Sequence, residues 1–333
     1  MQYRHLGKSP LKVSTLCLGT MMFADQTDAA AAREIVAHAL DHGVNFIDTA
    51  DVYSKGASET MVGALLKDHR HDWIVATKLG NPMSERPNEM GYSRRWVQRA
   101  CDASLQRLGT DHVDIYYLHR DFNGIDLEEP LRAIESLLAA GKIRYWGLSN
   151  FRGWRIAEVV HAARALNMAL PVVCQPYYNL LNRMPEVEVL PACAHHGIGV
   201  VPYSPIARGV LSGKYAPGSQ PAAGTRAGRG DKRMMETEFR DESLRVAQML
   251  KAHCDTKGVS LAHFATAWVL AHKAVSAVIA GPRTLQQWQD YFGALTCSVD
   301  AEDEALVDSL VRPGHPSTPG YNDPMYPLET RRA

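Results

Sequence analysis

The feature that most constrains this chain is a regular alternation of short apolar runs with amphipathic segments. Eight apolar runs recur along the 333 residues, and each is long enough for one buried β-strand. In the segments between them, apolar residues recur every three or four positions, which is typical of helices that pack on one face. The apolar runs are 15–18, 45–47, 74–77, 113–118, 145–148, 172–175, 199–202 and 277–280.

Repeated strand-then-helix units predict a parallel sheet, and eight of them predict closure into a (β/α)8 TIM barrel of the α/β class. A short β-hairpin, residues 3–6 and 12–14, is expected to close the bottom of the barrel core. No linker, repeat or change of composition divides the chain, so we predict one domain over residues 1–333. The predicted helices are 29–41, 58–67, 93–108, 127–139, 154–165 and 186–195.

Two segments interrupt this rhythm. Residues 216–240, "APGSQPAAGTRAGRGDKRMMETEFR", are rich in Gly, Pro and Arg and show no clean period. Connections of this length are uncommon, so we predict a long loop that covers an active site, with plain disorder as the alternative. Residues 312–333 are rich in Pro and are predicted to form an irregular C-terminal tail.

The charge balance restricts the class of partner. The formal net charge is +0 at pH 7, so no basic field attracts nucleic acid or a membrane surface, and we expect a small-molecule substrate. No apolar run approaches the ~18 residues of a membrane span, and the first ten residues lack a signal-peptide core, so we expect a cytoplasmic protein. The six cysteines and fourteen histidines are scattered, which predicts reduced thiols and no metal site.

Polar residues follow three successive apolar runs. In "GVNFIDTADVY", residues 43–53, a buried strand ends at Asp48, and a carboxylate there is costly unless a cation or donors meet it. Lys78 and His119 end the next two runs, and Tyr53 lies on the loop after the first. Considered singly, each of these four residues has an ordinary structural explanation. Because chemistry in a barrel gathers at the C-terminal strand ends, the four together predict a catalytic set.

The chemistry of this set is consistent. Asp48 would neutralise the Lys78 ammonium, and the ammonium would lower the pKa of the Tyr53 phenol from its ordinary value near ~10. A tyrosine tuned in this way can give a proton to a developing alkoxide. Neutral His119 could hydrogen-bond the substrate oxygen and orient it.

Seven motifs in order give the chain a resemblance to a known family. They are "GVNFIDTADVY", "ATKLG", "LHR", "GLSN", "QPYYNLL", "YSPIARGVLSGKY" and "GPRTLQQW". From Tyr3 to Leu295 the chain resembles the aldo-keto reductase superfamily, in the branch related to potassium-channel β-subunits and bacterial reductases. The resemblance implies hydride transfer from NADPH to an aldehyde or ketone. It gives Tyr53 the role of acid, with Lys78 and Asp48 as its tuning pair and His119 as the group that orients the carbonyl.

The resemblance also implies a set of residues that bind NADPH. Ser149 and Asn150 would hold the nicotinamide carboxamide with Gln175 beside them, and the nicotinamide would stack on Tyr203. The loop after the seventh strand would clasp the pyrophosphate, and the segment after the eighth would bind the 2′-phosphate and adenine. The residues of these two segments are Ser204, Pro205, Ile206, Arg208 and Lys214, followed by Gly281, Arg283, Gln287 and Asp290. Tyr291 departs from the pattern, which usually has asparagine there.

The segment after the eighth strand favours NADPH over NADH. Thr284 can cap a helix that begins at Leu285, and Arg283 can take the 2′-phosphate through paired hydrogen bonds. Asp290 is the counter-argument, because a carboxylate could repel that phosphate and accept a ribose hydroxyl instead. It lies almost two turns further along the helix, where we expect it to meet the adenine end.

Three alternative functions make different demands on the sequence. A Rossmann enzyme is disfavoured because no G-x-G-x-x-G follows a strand and no Y-x-x-x-K pair occurs. A barrel enzyme that uses Lys78 as a Schiff base is disfavoured because Asp48 should keep the lysine charged. A nicotinamide-binding regulatory subunit that senses redox state with little turnover stays open, because the complete catalytic set is compatible with it.

The pocket walls favour a hydrophobic carbonyl over a free sugar, although the sequence does not identify the substrate, the reaction direction or the oligomeric state. Walls of this kind come from the variable loops of a barrel. The expected wall residues are Met22, Phe23, Tyr53, Trp96 and Phe122, with parts of the 216–240 loop and the tail.

Overall fold

A computed structural model describes residues 1–122 and 124–327 of the chain. Backbone contacts group the chain into two compact units. The first comprises Met1–Pro176, Glu188–Tyr203 and Lys273–Gln289, and the second comprises Tyr177–Val187, Ser204–His272 and the described part of Asp290–Ala333. The single domain over 1–333 stays a prediction, and the last six residues of the predicted tail, 328–333, lie outside the described residues.

The first unit contains the predicted barrel. Eight parallel strands pair in chain order, and the last strand pairs with the first of them. Backbone bridges from Val200 to Val275 and from Tyr203 to Ile279 join the two remaining edges, which confirms the closed (β/α)8 arrangement. The barrel strands are β3 (Leu16–Gly19), β4 (Phe46–Asp48), β5 (Ile74–Leu79), β6 (Val113–Leu118), β7 (Ile143–Ser149), β8 (Val173–Gln175), β9 (Gly199–Val200) and β10 (Val278–Ala280).

The predicted hairpin is also present. Strands β1 (Tyr3–His5) and β2 (Lys12–Ser14) pair antiparallel, with Arg4 opposite Val13. Leu6 and Val13 are fully buried and pack with side chains from the barrel interior. Burial of these apolar side chains holds the hairpin against the core.

Helices follow the strands of the first unit. Side-chain caps fix several starts: Asp28 accepts the Ala31 N–H at 2.9 Å, and Ser93 accepts the Trp96 N–H at 3.3 Å. The helices between the barrel strands are α1 (Ala29–Asp41), α2 (Ala57–Leu66), α3 (Arg94–Leu108), α4 (Glu128–Ala139), α5 (Gly153–Ala165) and α6 (Val189–His196).

Helix α6 begins later than predicted. The prediction placed a helix over 186–195, but Glu186 ends a separate single turn of 3-10 helix, Met184–Glu186. Glu186 accepts hydrogen bonds from Arg183 Nε at 2.9 Å and from Tyr178 at 2.7 Å. These contacts hold Glu186 in the loop, so regular α-helix starts only at Val189.

The second unit is helical, and a short helix lies inside the segment 216–240 that was predicted to be a long loop. Asp231 accepts the Met234 N–H at 2.8 Å and caps a six-residue helix inside that segment. The role of the 216–240 segment as an active-site cover stays a prediction. The remaining α-helices of the described residues are α7 (Lys232–Thr237), α8 (Asp241–Thr256), α9 (Leu261–Ala271), α10 (Leu285–Tyr291) and α11 (Ala301–Leu310).

Across the described residues, no helix combines the length and the apolar character that a membrane crossing requires. The six cysteines are all free thiols, and five of them are buried.

Candidate active site

The four predicted catalytic residues lie together at the C-terminal ends of the barrel strands. Asp48 ends β4, Lys78 is the fifth residue of β5, and His119 follows β6 directly. Tyr53 begins a single turn of 3-10 helix, Tyr53–Gly56, after β4. The parallel register aligns these ends, so four side chains that are far apart in the sequence meet at one place.

Lys78 is the centre of the site. Its ammonium donates to Asp48 Oδ1, to the backbone oxygen of Thr49 at 2.8 Å and to the Tyr53 hydroxyl at 3.2 Å. The lysine is fully buried and Asp48 is 2% exposed. Burial lowers the pKa of the Lys78 ammonium, but the charge of Asp48 and the contact with Tyr53 outweigh it, so the pKa lies above its ordinary value. Lys78 is therefore a charged donor at neutral pH.

Gln175 completes the environment of Asp48. Its side-chain nitrogen, from the end of β8, donates to Asp48 Oδ2 at 2.9 Å. Each oxygen of the buried carboxylate thus has a hydrogen-bond donor, as a buried charge requires. The sequence grouped Gln175 only with the nicotinamide residues, and its contact with Asp48 joins positions 127 residues apart.

His119 faces Tyr53 edge to face, with ring centroids 6.1 Å apart. Burial, followed by the nearby charges of Lys78 and Arg120, lowers the pKa of His119 well below its ordinary value. Among the described residues, its buried Nδ1 has no hydrogen-bond partner. The imidazole is therefore neutral at pH 7 and retains hydrogen-bonding capacity beside the Tyr53 ring.

Four of the predicted nicotinamide residues form one hydrogen-bonded group. Asn150 has a left-handed backbone, φ 59°, and its Nδ2 donates to the Ser149 hydroxyl and to the backbone oxygen of His119, each at 3.0 Å. Ser149 donates to the backbone oxygen of Gln175 at 3.0 Å, and the Tyr203 hydroxyl donates to Asn150 Oδ1 at 2.8 Å. This group links the ends of β7 and β8 with the segment after β9.

The turn after β10 has the predicted cap. The Gln287 N–H lies 3.3 Å from the Thr284 hydroxyl, and helix α10 begins at Leu285 as expected. The Gln287 side chain accepts the Arg283 N–H at 2.9 Å, and Gly281 is exposed on the same turn. The Arg283 guanidinium is half-buried, and its Nη1 lies 3.4 Å from the Gln26 side-chain oxygen.

The predicted pyrophosphate loop belongs to the second unit. Its residues Ser204, Pro205 and Ile206 lead into a left-handed stretch in which Arg208 has φ 51°. The Arg208 Nε lies 3.0 Å from a carboxylate oxygen of the fully buried Glu238. In that unit the exposed Lys214 lies beside the Tyr215 ring, at 5.2 Å from its centroid, and Asp290 pairs with His263 at 2.9 Å.

Comparisons with known proteins identify the family of the chain. The model of the aldo/keto reductase family matches residues 15–312. The chain belongs to the aldo/keto reductase family. It is 39% identical over 302 residues to a probable voltage-gated potassium channel subunit beta of Arabidopsis thaliana, covering 89% of this chain and 91% of that protein.

Two further relatives of this aldo/keto reductase family member are similar over most of their length. A probable voltage-gated potassium channel subunit beta of Oryza sativa subsp. japonica is 38% identical over 93% of this chain and 97% of that protein. The uncharacterized oxidoreductase YrpG of Bacillus subtilis is 36% identical over 93% of this chain and 96% of that protein. Membership in the family supports an oxidoreductase activity on small-molecule carbonyl compounds, and the family generally uses NADH or NADPH.

Sequence reasoning missed a group of buried carboxylates close to Tyr53 in the chain. Asp51 is 1% exposed, so its carboxyl group is buried. Burial, followed by the charge of Glu59, raises the pKa of Asp51 to about 8. Glu59 is fully buried and pairs with Arg107 at 2.6 Å. The available signal was the second carboxylate in "DTADVY", which lies only two residues before Tyr53.

Proposed function

We propose that the protein reduces aldehydes or ketones to alcohols by hydride transfer from NADPH, with Tyr53 as the general acid. The observation that carries this proposal is the hydrogen-bonded set of buried Asp48, buried Lys78 and half-buried Tyr53 beside neutral His119. Each of these groups has a distinct role in carbonyl reduction.

Tyr53 supplies the proton. As the carbonyl carbon is reduced, the carbonyl oxygen develops negative charge and takes the proton from the Tyr53 hydroxyl. The Lys78 ammonium, 3.2 Å from the phenolic oxygen, stabilises the phenolate that remains. Asp48 keeps the lysine charged and directs it toward Tyr53. The phenolate then regains a proton from solvent before the next turnover.

His119 orients the carbonyl. A neutral imidazole can donate one hydrogen bond to the substrate oxygen without competing with Tyr53 as a proton source. The pKa of His119 lies well below its ordinary value because of burial, so the imidazole is neutral at pH 7, where Lys78 is charged.

The residues at the ends of β7 and β8 fit a nicotinamide. A carboxamide needs both a donor and an acceptor, and Ser149, Asn150 and Gln175 offer hydroxyl and amide groups of both kinds. When bound, NADPH supplies the hydride that reduces the carbonyl carbon. That these residues and Tyr203 hold the nicotinamide stays a prediction, as does the binding role of the loop residues around Arg208.

Arg283 supports NADPH as the cofactor. A guanidinium recognises a phosphate dianion through charge-assisted hydrogen bonds, and the 2′-phosphate is the group that distinguishes NADPH from NADH. The counter-argument from Asp290 is weakened because His263 already engages its carboxylate at 2.9 Å.

Two of the predicted wall residues, Tyr53 and Phe122, keep some exposed surface. Phe122 is half-buried and packs edge to face on Tyr92, with centroids 5.2 Å apart. Phe23 is fully buried, and Met22 and Trp96 are 8% and 7% exposed, so these three contribute little open surface. An aromatic wall at Phe122 favours an aromatic or other apolar carbonyl over a sugar. The cytoplasmic location stays a prediction.

A second candidate function is a nicotinamide-binding subunit that senses redox state and regulates a partner. The similarity to two plant proteins described as probable potassium channel β subunits favours it. An assay of NADPH consumption with aromatic aldehydes, aliphatic aldehydes, sugars, steroids and quinones separates the two. Steady turnover with any of them supports the reductase, and cofactor binding without turnover supports the sensor.

A further inference from the structure

The backbone just after Tyr53 is held in an unfavourable conformation. Ser54, Lys55 and Gly56 all have positive φ angles, of 48°, 54° and 92°. Two of them are not glycine, and L-residues adopt this left-handed region at an energetic cost. Such strain persists only where neighbouring groups over-determine the backbone, and it often marks a functional position. The groups that hold this turn therefore control where Tyr53 lies.

Arg107 on α3 covers the turn. A Cβ atom built on Gly56 would lie 2.7 Å from Arg107 Cδ and 2.9 Å from its Nε, so the arginine packs directly on the glycine backbone. On the other side, the Ser54 hydroxyl donates to the backbone oxygen of Phe23 at 3.1 Å. The turn is thus enclosed between a side chain of α3 and the loop after β3.

Glu59 fixes Arg107 in this place. The Arg107 Nε donates to Glu59 Oε2 at 2.6 Å, and Glu59 is fully buried. The other oxygen of Glu59 accepts the Thr77 hydroxyl at 2.5 Å. Thr77 precedes Lys78 in β5, so the same carboxylate connects Arg107 to the strand that carries the catalytic lysine.

The buried carboxylates near Arg107 require a cation at this position. Asp51 and Glu59 are both buried, and Arg107 is paired with Glu59 in a salt bridge. A neutral residue at position 107 would leave the Glu59 carboxylate buried without a counter-charge, which proteins avoid by local rearrangement or protonation.

We propose that Arg107 is a positioning residue for Tyr53. Through Glu59 and the backbone of Gly56, it fixes the left-handed turn, and the turn holds the Tyr53 hydroxyl within hydrogen-bond distance of Lys78. This inference rests on the proposed function, because it takes Tyr53 as the acid of carbonyl reduction.

The test compares Arg107→Gln with a matched control. Arg70→Gln breaks another partly buried arginine pair, Arg70 with Asp114 at 2.8 Å, and that carboxylate binds the Val75 N–H near the start of β5. We expect Arg107→Gln to lower kcat by roughly 10–100-fold, the effect of a small misplacement of a catalytic group, with little change in KM for NADPH. Arg70→Gln should keep kcat within a factor of about two of the wild-type value, even if its melting temperature falls as far as that of Arg107→Gln.

A second readout does not depend on activity. Hydrogen–deuterium exchange of peptides that contain residues 53–56 should become faster by about tenfold in Arg107→Gln and stay unchanged in Arg70→Gln. Arg107→Lys keeps a cation beside Glu59, so it should keep most of the wild-type kcat and most of the slow exchange of residues 53–56. If Arg107→Gln does not fold, the double variant Glu59→Gln with Arg107→Gln removes the unpaired buried charge and should show the same loss.

The outcomes separate this inference from the proposed function. A wild type that consumes no NADPH with any carbonyl compound contradicts the proposed function, and the exchange comparison still decides the role of Arg107 in the turn. An Arg107→Gln variant whose kcat and 53–56 exchange match those of Arg70→Gln overturns the inference even if the wild type is an active reductase.

Discussion

Lys78 divides its three ammonium hydrogens among three acceptors, one each on Asp48, Thr49 and Tyr53. An ammonium has three donors and no acceptor, so its capacity is filled. The tyrosine oxygen accepts from Lys78, so this contact does not use the phenolic hydrogen. In the proposed function the lysine stabilises charge and Tyr53 gives the proton.

The first prediction concerns the coupling of Lys78 to Tyr53. Lys78→Met should slow the reduction step about as severely as Tyr53→Phe, because it removes the charge that stabilises the phenolate. Acid catalysis typically raises the rate by ~10²–10⁴-fold. When two residues act as a unit, the double variant loses about as much rate as either single variant. Single-turnover rates of both variants and of the double variant provide the measurement, with thermal unfolding as the control for folding. A double variant much slower than either single variant would show that the two residues act independently.

Asp51 gives a pH-dependent prediction. Its pKa of about 8 in the folded protein lies above its ordinary value of 3.8, chiefly because of burial. The folded state then keeps a proton that the unfolded state has lost, so the stability due to this group is complete at acid pH and is lost as the pH rises through about 8. Glu59 raises this pKa further, while Arg107 and Lys78 oppose the rise.

Asp51→Asn removes this titration. The melting temperature of the variant relative to wild type should therefore increase as the pH is raised from acid toward about 8, and should level off above it. Thermal unfolding at a series of pH values gives the comparison. A difference between variant and wild type that stays constant across that range would mean that Asp51 does not carry a proton in the folded state.

Single residues also show where prediction from the sequence succeeds. Asp48, Lys78 and His119 were found because each ends an apolar run, and strand ends in a barrel converge whatever the loops do. The contacts of Gln175 with Asp48 and of Arg107 with Glu59 were not found, because they join elements 127 and 48 residues apart and leave no local pattern.

At the level of elements, the strand and helix pattern was predictable where apolar spacing is regular. Helix α1 has the predicted bounds, and α10 begins at the predicted residue behind its Thr284 cap. The errors occur where polar side chains decide the backbone. Glu186 is held in a loop by Arg183, and Asp231 caps the short helix α7 inside a segment without apolar period. Hydrophobic periodicity carries no information on such contacts.

The turn after β10 carries the prediction on cofactor choice. Arg283→Ala should weaken NADPH binding by roughly 1.5–3 kcal/mol, the usual range for a hydrogen bond to a charged group, and leave NADH binding nearly unchanged. Titration of both cofactors by tryptophan fluorescence measures this. Arg132→Ala on α4, which removes an arginine that pairs with Glu135 and a backbone oxygen, serves as the control. Equal losses for both cofactors, or a wild type that prefers NADH, would overturn the assignment.

At the scale of the whole molecule, the four catalytic residues and the groups that hold them all belong to the first unit. The chemistry of the acid is therefore set within one barrel, by contacts among β4, β5, β6 and the elements packed on them. The formal net charge of +0 adds no long-range field, so in the proposed function recognition depends on local groups such as Arg283 and Phe122.

The role of Tyr53 is decided by single-turnover reduction of a reactive aromatic aldehyde by wild type and Tyr53→Phe, with NADPH affinity measured on both. The substitution deletes the transferred proton and keeps the ring, so we expect the rate to fall by ~10²–10⁴-fold while NADPH binds as before. Loss of the acid should slow the reaction by much more than tenfold. A variant that keeps more than about a tenth of the wild-type rate would therefore show that another group supplies the proton.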